Sequence, residues 1–335
     1  MMLAALGVMA MLWALGNFLR WPTAVTWAAL GLVYFATLTM LIALPEESAA
    51  AWAILGGMAA LVGAYIAGLR WVKARVPLEA TVPQNSFRDA ELERYARHIV
   101  LREVGGAGQK KLKQAKVLVV GAGGLGSPVL MYLAAAGVGA IGIIDDDDVD
   151  HTNMQRQVIH RDQTIGQPKV HSAAEAMRAL NPYIEVRPFA RRLSADIVEE
   201  LIADFDIVID GTDNFNTRYL VNRAASKLGK PLISGALAQW EGQLSVFDPS
   251  TTGPCYECIF PEEPAAGLAP SCAEAGVIGP LPGVVGTMMA LEAVKLITGA
   301  GHVMRGEMLI YDGLYGESRK IKLARRTDCA ACKDI

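Results

Sequence analysis

Four of the five cysteines stand in two CxxC pairs, Cys255/Cys258 and Cys329/Cys332. Two such pairs supply four thiolates, the donor set of a tetrahedral zinc site. No ligand position is left for water, so the metal reads as structural. The pairs lie roughly 70 residues apart, and closing that loop is tolerable because its entropy cost grows only with the logarithm of length. A second set of residues is suited to phosphate chemistry. Arg156 and Lys169 follow closely on the glycine run Gly121-Ala122-Gly123-Gly124-Leu125-Gly126. A triphosphate needs such cations to offset its charge and to stabilise a leaving pyrophosphate. A nicotinamide dinucleotide does not. Asp145 and Asp213 each stand at or just past the end of an apolar run. Asp213 reads either as a Mg²⁺ ligand beside phosphates or as the cap of the next helix. The fifth cysteine, Cys272, is a small core residue or a reactive thiol in a loop rich in Pro, Gly and Ala.

These residues need a scaffold, and Val117–Asp145 supplies its pattern. An apolar run, Val117 to Val120, meets the glycine turn. An alanine-rich segment follows, then Ile141 to Ile144 and Asp145. Strand, glycine turn, helix, strand, acid is the nucleotide-binding unit of a doubly wound sheet. The turn brings backbone N–H groups to a phosphate at the positive end of a helix. The motif alone leaves ATP and NAD(P) open, so an NAD(P)-binding oxidoreductase is the alternative reading. Upstream, Asp89–Val104 is predicted as a helix with Leu92, Tyr95 and Ile99 on one face, and Gly108–Gln114 as a second helix. Downstream, helices are predicted at Lys169–Leu180, Ser194–Ala203 and Asn214–Leu228. Strands are predicted at Ile184–Arg187, Phe205–Asp210 and Lys230–Ser234. Ala236–Phe247 alternates as antiparallel strands do, and Pro280–Thr298 reads as a helix broken by glycines. The expected fold is α/β: a Rossmann-like doubly wound sheet continuing into antiparallel strands, with a Cys₄ zinc site.

The 335 residues divide unevenly. Residues 1–75 hold three apolar segments without charge, Leu3–Leu19, Ala24–Leu44 and Ala51–Leu69. Each approaches the ~20 residues that cross a bilayer core. A signal peptide would carry a basic start, and core helices would show a polar face. Three transmembrane helices are therefore expected. Arg70, Lys73 and Arg75 follow the third, which places the N-terminus outside and the rest in the cytoplasm, as in a multi-pass protein of a bacterial inner membrane. Gly56, Ala60, Ala64 and Gly68 repeat on one helix face as a packing seam would. Residues 76–88 read as a linker and 89–335 as the catalytic domain. The net charge of −3 gives no reason to expect a nucleic-acid partner. The CxxC pairs fit a metal in a reducing compartment better than a disulfide framework.

From Glu93 to Cys332 the chain resembles the E1-like adenylyltransferases, the MoeB, ThiF and HesA proteins of molybdopterin and thiamine biosynthesis. The segments that carry the resemblance are RYARHIVL, GAGGLG, IDDDDVDHTNMQRQ, GQPK, GTDNFNTR, EGQLSVF, CYEC, SCAEAGVIGPLPGVVG and CAAC. The resemblance implies that Gly121, Gly123, Gly124 and Gly126 form the nucleotide loop. Asp145 would hold the ribose and Asp147 continue the acidic pattern. Asn153, Arg156 and Lys169 would contact the phosphates, and Asp213 would bind Mg²⁺. Arg97 would reach the ATP site of the other subunit of a homodimer. The four paired cysteines would hold zinc, and Cys272 would handle sulfur or an acyl group. The implied reaction is ATP-dependent adenylylation of the C-terminal Gly-Gly carboxylate of a ubiquitin-like sulfur carrier protein. A separate persulfide would then donate sulfur. A relative that adenylates a different carboxylate, and a binding module without catalysis, are the nearer alternatives. The three apolar segments depart from the usual enzyme, and Asp146 and Asp148 match no role.

Overall fold

A computed structural model describes residues 2–18, 23–42, 48–75, 86–263 and 276–335. Two compact units divide the chain, residues 1–81 and 82–335.

The first unit holds three helices, α1 (Met2–Phe18), α2 (Thr23–Ile42) and α3 (Ser48–Arg75). Neither α1 nor α2 contains a charged residue, and the charges of α3 lie in its last turns. Large apolar side chains such as Met11, Trp27, Leu32 and Leu61 are exposed on them. The expected packing seam reduces to one position. A Cβ at Gly56 would overlap the Tyr34 ring of α2, whereas Ala60, Ala64 and Gly68 are exposed. The expectation of three spans finds no support by length. Among the described residues the apolar stretches of this unit are Ala5–Leu15, Ala29–Met40 and Gly56–Leu69. Among the described residues one helix is long and apolar enough, Pro280–Thr298, and it belongs to the core of the second unit.

The second unit opens with α4 (Asp89–Ile99) and α5 (Gly105–Gln114). Then come β1 (Lys116–Val120), α6 (Gly126–Ala136) and β2 (Ala140–Asp145). They are followed by α7 (Lys169–Leu180), β3 (Glu185–Ala190), α8 (Val198–Ala203), β4 (Ile207–Asp210) and α9 (Phe215–Lys227). The chain closes with β5 (Leu232–Ala238), β6 (Glu241–Phe247), α10 (Tyr256–Ile259), α11 (Pro280–Thr298), β7 (Glu307–Asp312) and β8 (Glu317–Lys322). One eight-stranded sheet runs in the order β3-β2-β1-β4-β5-β6-β7-β8. Pairings from β3 to β5 are parallel, and those from β5 to β8 antiparallel. The expected Rossmann-like sheet with an antiparallel continuation is the sheet observed.

The runs that read as buried strands are buried on both faces. Leu118, Val119, Ile141 and Ile143 are fully enclosed, each contributing ~1.5–3 kcal/mol of apolar burial. Side chains from α6, α7 and α11 cover one face of the sheet, and those from α8 and α9 cover the other. Chain progression reverses between β1 and β4, leaving a crevice at their C-terminal ends. Everything attributed to phosphate chemistry follows a strand at that edge.

Three local readings change. Leu92 is 42% exposed, and Glu91 takes the buried place beside Tyr95, paired with Lys113 at 2.6 Å. Arg94, which sequence alone reads as an ordinary solvated helix residue, donates to Leu180 O at 2.8 Å and lies over the Tyr183 ring. The glycines of α11 do not break it, because Gly286 lies against Leu125 and Pro128 and lets α11 approach α6 closely.

Candidate active site

The site begins where β1 ends. The chain turns through Gly121–Leu125 and enters α6 at Gly126. A Cβ on Gly126 would lie 2.0 Å from Gly121 O, so only glycine closes this turn. The positive end of α6 then faces the crevice. Two contacts fix the turn from outside. Ala122 N donates to Asp145 Oδ2 at 2.7 Å, and Ala122 O accepts from His160 Nε2 at 3.0 Å. A carbonyl can only accept, so Nε2 carries the proton and Nδ1 faces the Ser172 hydroxyl, 2.9 Å away. Burial holds the His160 imidazole below its usual value, opposed by the bond to Ala122 and reinforced by Lys169. His160 is therefore neutral at pH 7. Sequence reasoning passed over it, since its partner lies 38 residues away.

Asp145 accepts from Ala122 N through one oxygen and from Asp147 N through the other, at 2.9 Å. Burial pushes its carboxyl above the usual carboxylate range, against the pull of these N–H groups and of Lys169. Lys169 is 5% exposed and bonds Asp147 at 2.7 Å. It is the first residue of α7, where the helix dipole disfavours a cation. Helix stability does not explain this lysine, and an anion in the crevice would.

Arg156 packs along the same turn. A Cβ on Gly124 would stand 3.7 Å from its Cγ. Its guanidinium donates to Asn153 Oδ1 at 2.8 Å, so Asn153 aims Arg156. Next to it, Gln157 Nε2 would lie 3.6 Å from a Cβ on Gly123. Gln157 is 4% exposed, and its Oε1 has no hydrogen-bond partner among the described residues. An orphaned buried acceptor beside a glycine turn fits a site that a ligand completes.

The third wall is the turn after β4. A Cβ on Gly121 would meet Thr212 Cγ2 at 3.3 Å, so residues 211–213 adjoin the glycine turn. The cap of α9 is Asn214, which accepts from Thr217 N at 3.0 Å. Capping is therefore not the role of Asp213, which is exposed at the crevice. Arg156 and the turn holding Thr212 and Asp213 thus adjoin the run Gly121, Gly123, Gly124 and Gly126 directly, and Lys169 is linked to it through Asp147 and Asp145. Asp145, Asp146 and Asp147 bring carboxylate oxygens within 4.8 Å of one another. Asp150 is exposed and caps the short turn 151–153 by accepting from Thr152 N. Arg97 is exposed in the last turn of α4, and Cys272 lies outside the described residues.

The four paired cysteines converge and are buried. Their sulfurs stand 3.5 Å apart for Cys255/Cys329 and Cys258/Cys332, and 3.8 Å for Cys255/Cys258. A tetrahedral ion with ~2.3 Å metal–sulfur bonds requires sulfur separations near 3.8 Å. Burial pushes the Cys255 thiol up and the Cys332 thiol up to about 11. A bound cation would displace those protons.

The sequence profile described as the ThiF family matches residues 95–331, from the middle of α4 to the last cysteine pair. The chain belongs to the ThiF family. This ThiF-family chain is 48% identical over 248 residues to the sulfur carrier protein adenylyltransferase of Thermus thermophilus, covering 73% of this chain and 92% of that one. It is 46% identical over 247 residues to the SAMP-activating enzyme E1 of Haloferax volcanii, covering 74% and 91%. It is 47% identical over 246 residues to the probable adenylyltransferase/sulfurtransferase MoeZ of Mycobacterium tuberculosis, covering 72% of this chain but 63% of that one. Among solved structures, E. coli MccB with ATP aligns with a TM-score of 0.63 at 22% identity, covering 72% and 75%. That likeness shows the fold.

Proposed function

We infer that this ThiF-family chain is an ATP-dependent adenylyltransferase acting on the C-terminal Gly-Gly carboxylate of a ubiquitin-like sulfur carrier. The observation that carries the reading is that Arg156 and the Asp213 turn adjoin one glycine turn at the reversal point of the sheet, with Lys169 tied to it through Asp147 and Asp145. The identities to an adenylyltransferase and to an E1 support it.

In this reading the carrier's carboxylate oxygen attacks the α-phosphorus of ATP. The bond to the bridging oxygen breaks, pyrophosphate departs with the electron pair, and an acyl-adenylate remains. Both reactants are anions, so the protein must hold them together and offset their repulsion. The N–H groups of the glycine turn cradle the phosphates, Arg156 and Lys169 take the charge of the departing pyrophosphate, and Asp145 accepts from the ribose. Asp213 would hold Mg²⁺, which when bound neutralises phosphate oxygens. Cys255, Cys258, Cys329 and Cys332 would hold a structural zinc. Arg97, exposed on α4, is assigned to the second subunit's site in a homodimer. Cys272 and a persulfide donor belong to the later sulfur step.

The test is pyrophosphate exchange. The full-length chain with ATP, Mg²⁺ and a candidate carrier should exchange labelled pyrophosphate into ATP only when the carrier's Gly-Gly tail is intact. Exchange that ignores the tail, or none with any Gly-Gly carrier of the same genome, would overturn the assignment.

We also propose that α1, α2 and α3 anchor the enzyme in the inner membrane, with the catalytic domain in the cytoplasm. Uncharged helices with exposed large apolar side chains support this. The full-length chain should sediment with membranes and resist alkaline carbonate, yet dissolve in detergent. Release by carbonate alone would refute the anchor.

A further inference from the structure

The segment GTDNFNTR ends in a residue the mechanism does not use. Arg218 sits in the first turn of α9 and is 5% exposed. Its Nη1 donates to Ser234 Oγ at 3.0 Å and stands 3.4 Å from Asp210 Oδ2. Its Nη2 donates to Gly235 O at 2.7 Å and to Thr212 O. Asp210, the last residue of β4, is 1% exposed. Its Oδ1 accepts from Thr212 N at 3.0 Å and from Thr212 Oγ1 at 2.7 Å.

One residue is thus held on all sides. Arg218 takes the carbonyl of Thr212, while Asp210 takes its amide and its hydroxyl. Burying an ion pair is an expensive way to gain stability, and apolar residues of similar volume often do as well. What the pair secures is direction. With both peptide groups of residue 212 fixed, the backbone leading into Asp213 has little freedom. The same residue abuts Gly121, so the turn is also registered against the phosphate loop.

We propose that Arg218 is the positioning residue of Asp213: through Thr212 O and Asp210 it aims the Asp213 carboxylate at the metal–phosphate position. This rests on the reading of Asp213 as a metal ligand. Buried and fully engaged by the protein, Arg218 would act through the turn and not on ATP or the metal itself.

The test uses the full-length chain, ATP and Mn²⁺, with bound Mn²⁺ followed through loss of the free-ion paramagnetic resonance signal. Asp213→Asn should weaken Mn²⁺ binding to the ATP complex by about tenfold or more, since a charged ligand is lost. Arg218→Lys keeps the charge but not the fork that reaches three acceptors, and should weaken Mn²⁺ binding by about fivefold. Its affinity for ATP without metal should stay within about twofold of wild type, and in the Asp213→Asn background it should add less than about twofold. Should Arg218→Lys fail to fold, Thr212→Val decides. It is isosteric, loses only the hydroxyl bond to Asp210, and should weaken Mn²⁺ in the same direction by about two- to threefold. Wild-type Mn²⁺ affinity in the folded Arg218→Lys chain, or in Thr212→Val, overturns the proposal. So does an equal loss of metal-free ATP binding, which marks a merely structural role. Unchanged Mn²⁺ affinity in Asp213→Asn overturns the metal reading of Asp213 instead.

Discussion

Asp213→Asn is expected to lower carrier-dependent pyrophosphate exchange by about 10²–10³-fold, the range seen when one preorganised electrostatic contact to a transition state is removed. The same change should leave thermal stability nearly untouched. Asp213 is exposed, and the helix after it is capped by Asn214 instead. Exposed substitutions away from caps and ion pairs usually stay within about 0.5 kcal/mol. The dissociation of the two readouts is the useful part. A residue that holds the fold would lose both, and a solvated acid would lose neither. Exchange rates and melting temperatures on the same preparation decide it, and exchange above about a tenth of wild type would remove Asp213 from the reaction. Lys169 makes the instructive contrast. It is buried and paired with Asp147, so truncating it leaves Asp147 without its cation and mixes the chemical loss with a structural one.

Local and periodic information carried far in this chain. The unit from Val117 to Asp145 was legible because a strand buried on both faces needs an unbroken apolar run and its turn needs glycine. The cysteine pairs were legible because few chemistries want four thiolates at that spacing. What the sequence hid depends on partners distant along the chain. Glu91 reads as surface and Leu92 as core until Lys113, 22 residues on, is seen beside the carboxylate. His160 reaches back 38 residues to Ala122, and Arg218 reaches forward to Ser234 and Gly235 on β5. No periodicity encodes these contacts, because each is made only once the sheet order is set. The glycines of α11 misled for a related reason. Glycine weakens an isolated helix, but here it admits the neighbour whose packing stabilises the helix. The hydropathy of the first 75 residues pointed to three spans, whereas among the described residues the one helix long and apolar enough to cross a bilayer is Pro280–Thr298, a core helix of the second unit.

Removing the metal from the cysteine cluster is expected to have the largest effect on stability. The purified chain should carry one zinc per subunit, released when its thiols are blocked, and Cys258→Ser should carry none. Melting should then fall by roughly 10 °C or more, since structural zinc supplies apparent binding energies of order 10 kcal/mol in small domains, part of which a larger core retains. The size of the effect follows from what the cluster joins. Cys255 and Cys258 flank Tyr256 and Glu257, which face inward. The Tyr256 ring packs against Phe247, Phe260 and Tyr219 in the core beneath β5 and β6. Glu257 accepts from Asn222 at 3.0 Å and from Arg223 at 2.9 Å, both on α9. Cys329 and Cys332 tether the end of the chain, where Arg325 donates to Pro249 O at 3.1 Å. Without a cation, four buried sulfurs a few ångströms apart must hold protons in a space sized for an ion, and the direct link between the two halves is lost. The separations of 3.5 Å are far beyond a ~2.05 Å disulfide bond, so oxidation without rearrangement cannot replace the metal. A metal-free preparation melting with wild type, or a Cys258→Ser chain of unchanged stability, would mean that packing alone holds α10 to the chain's end.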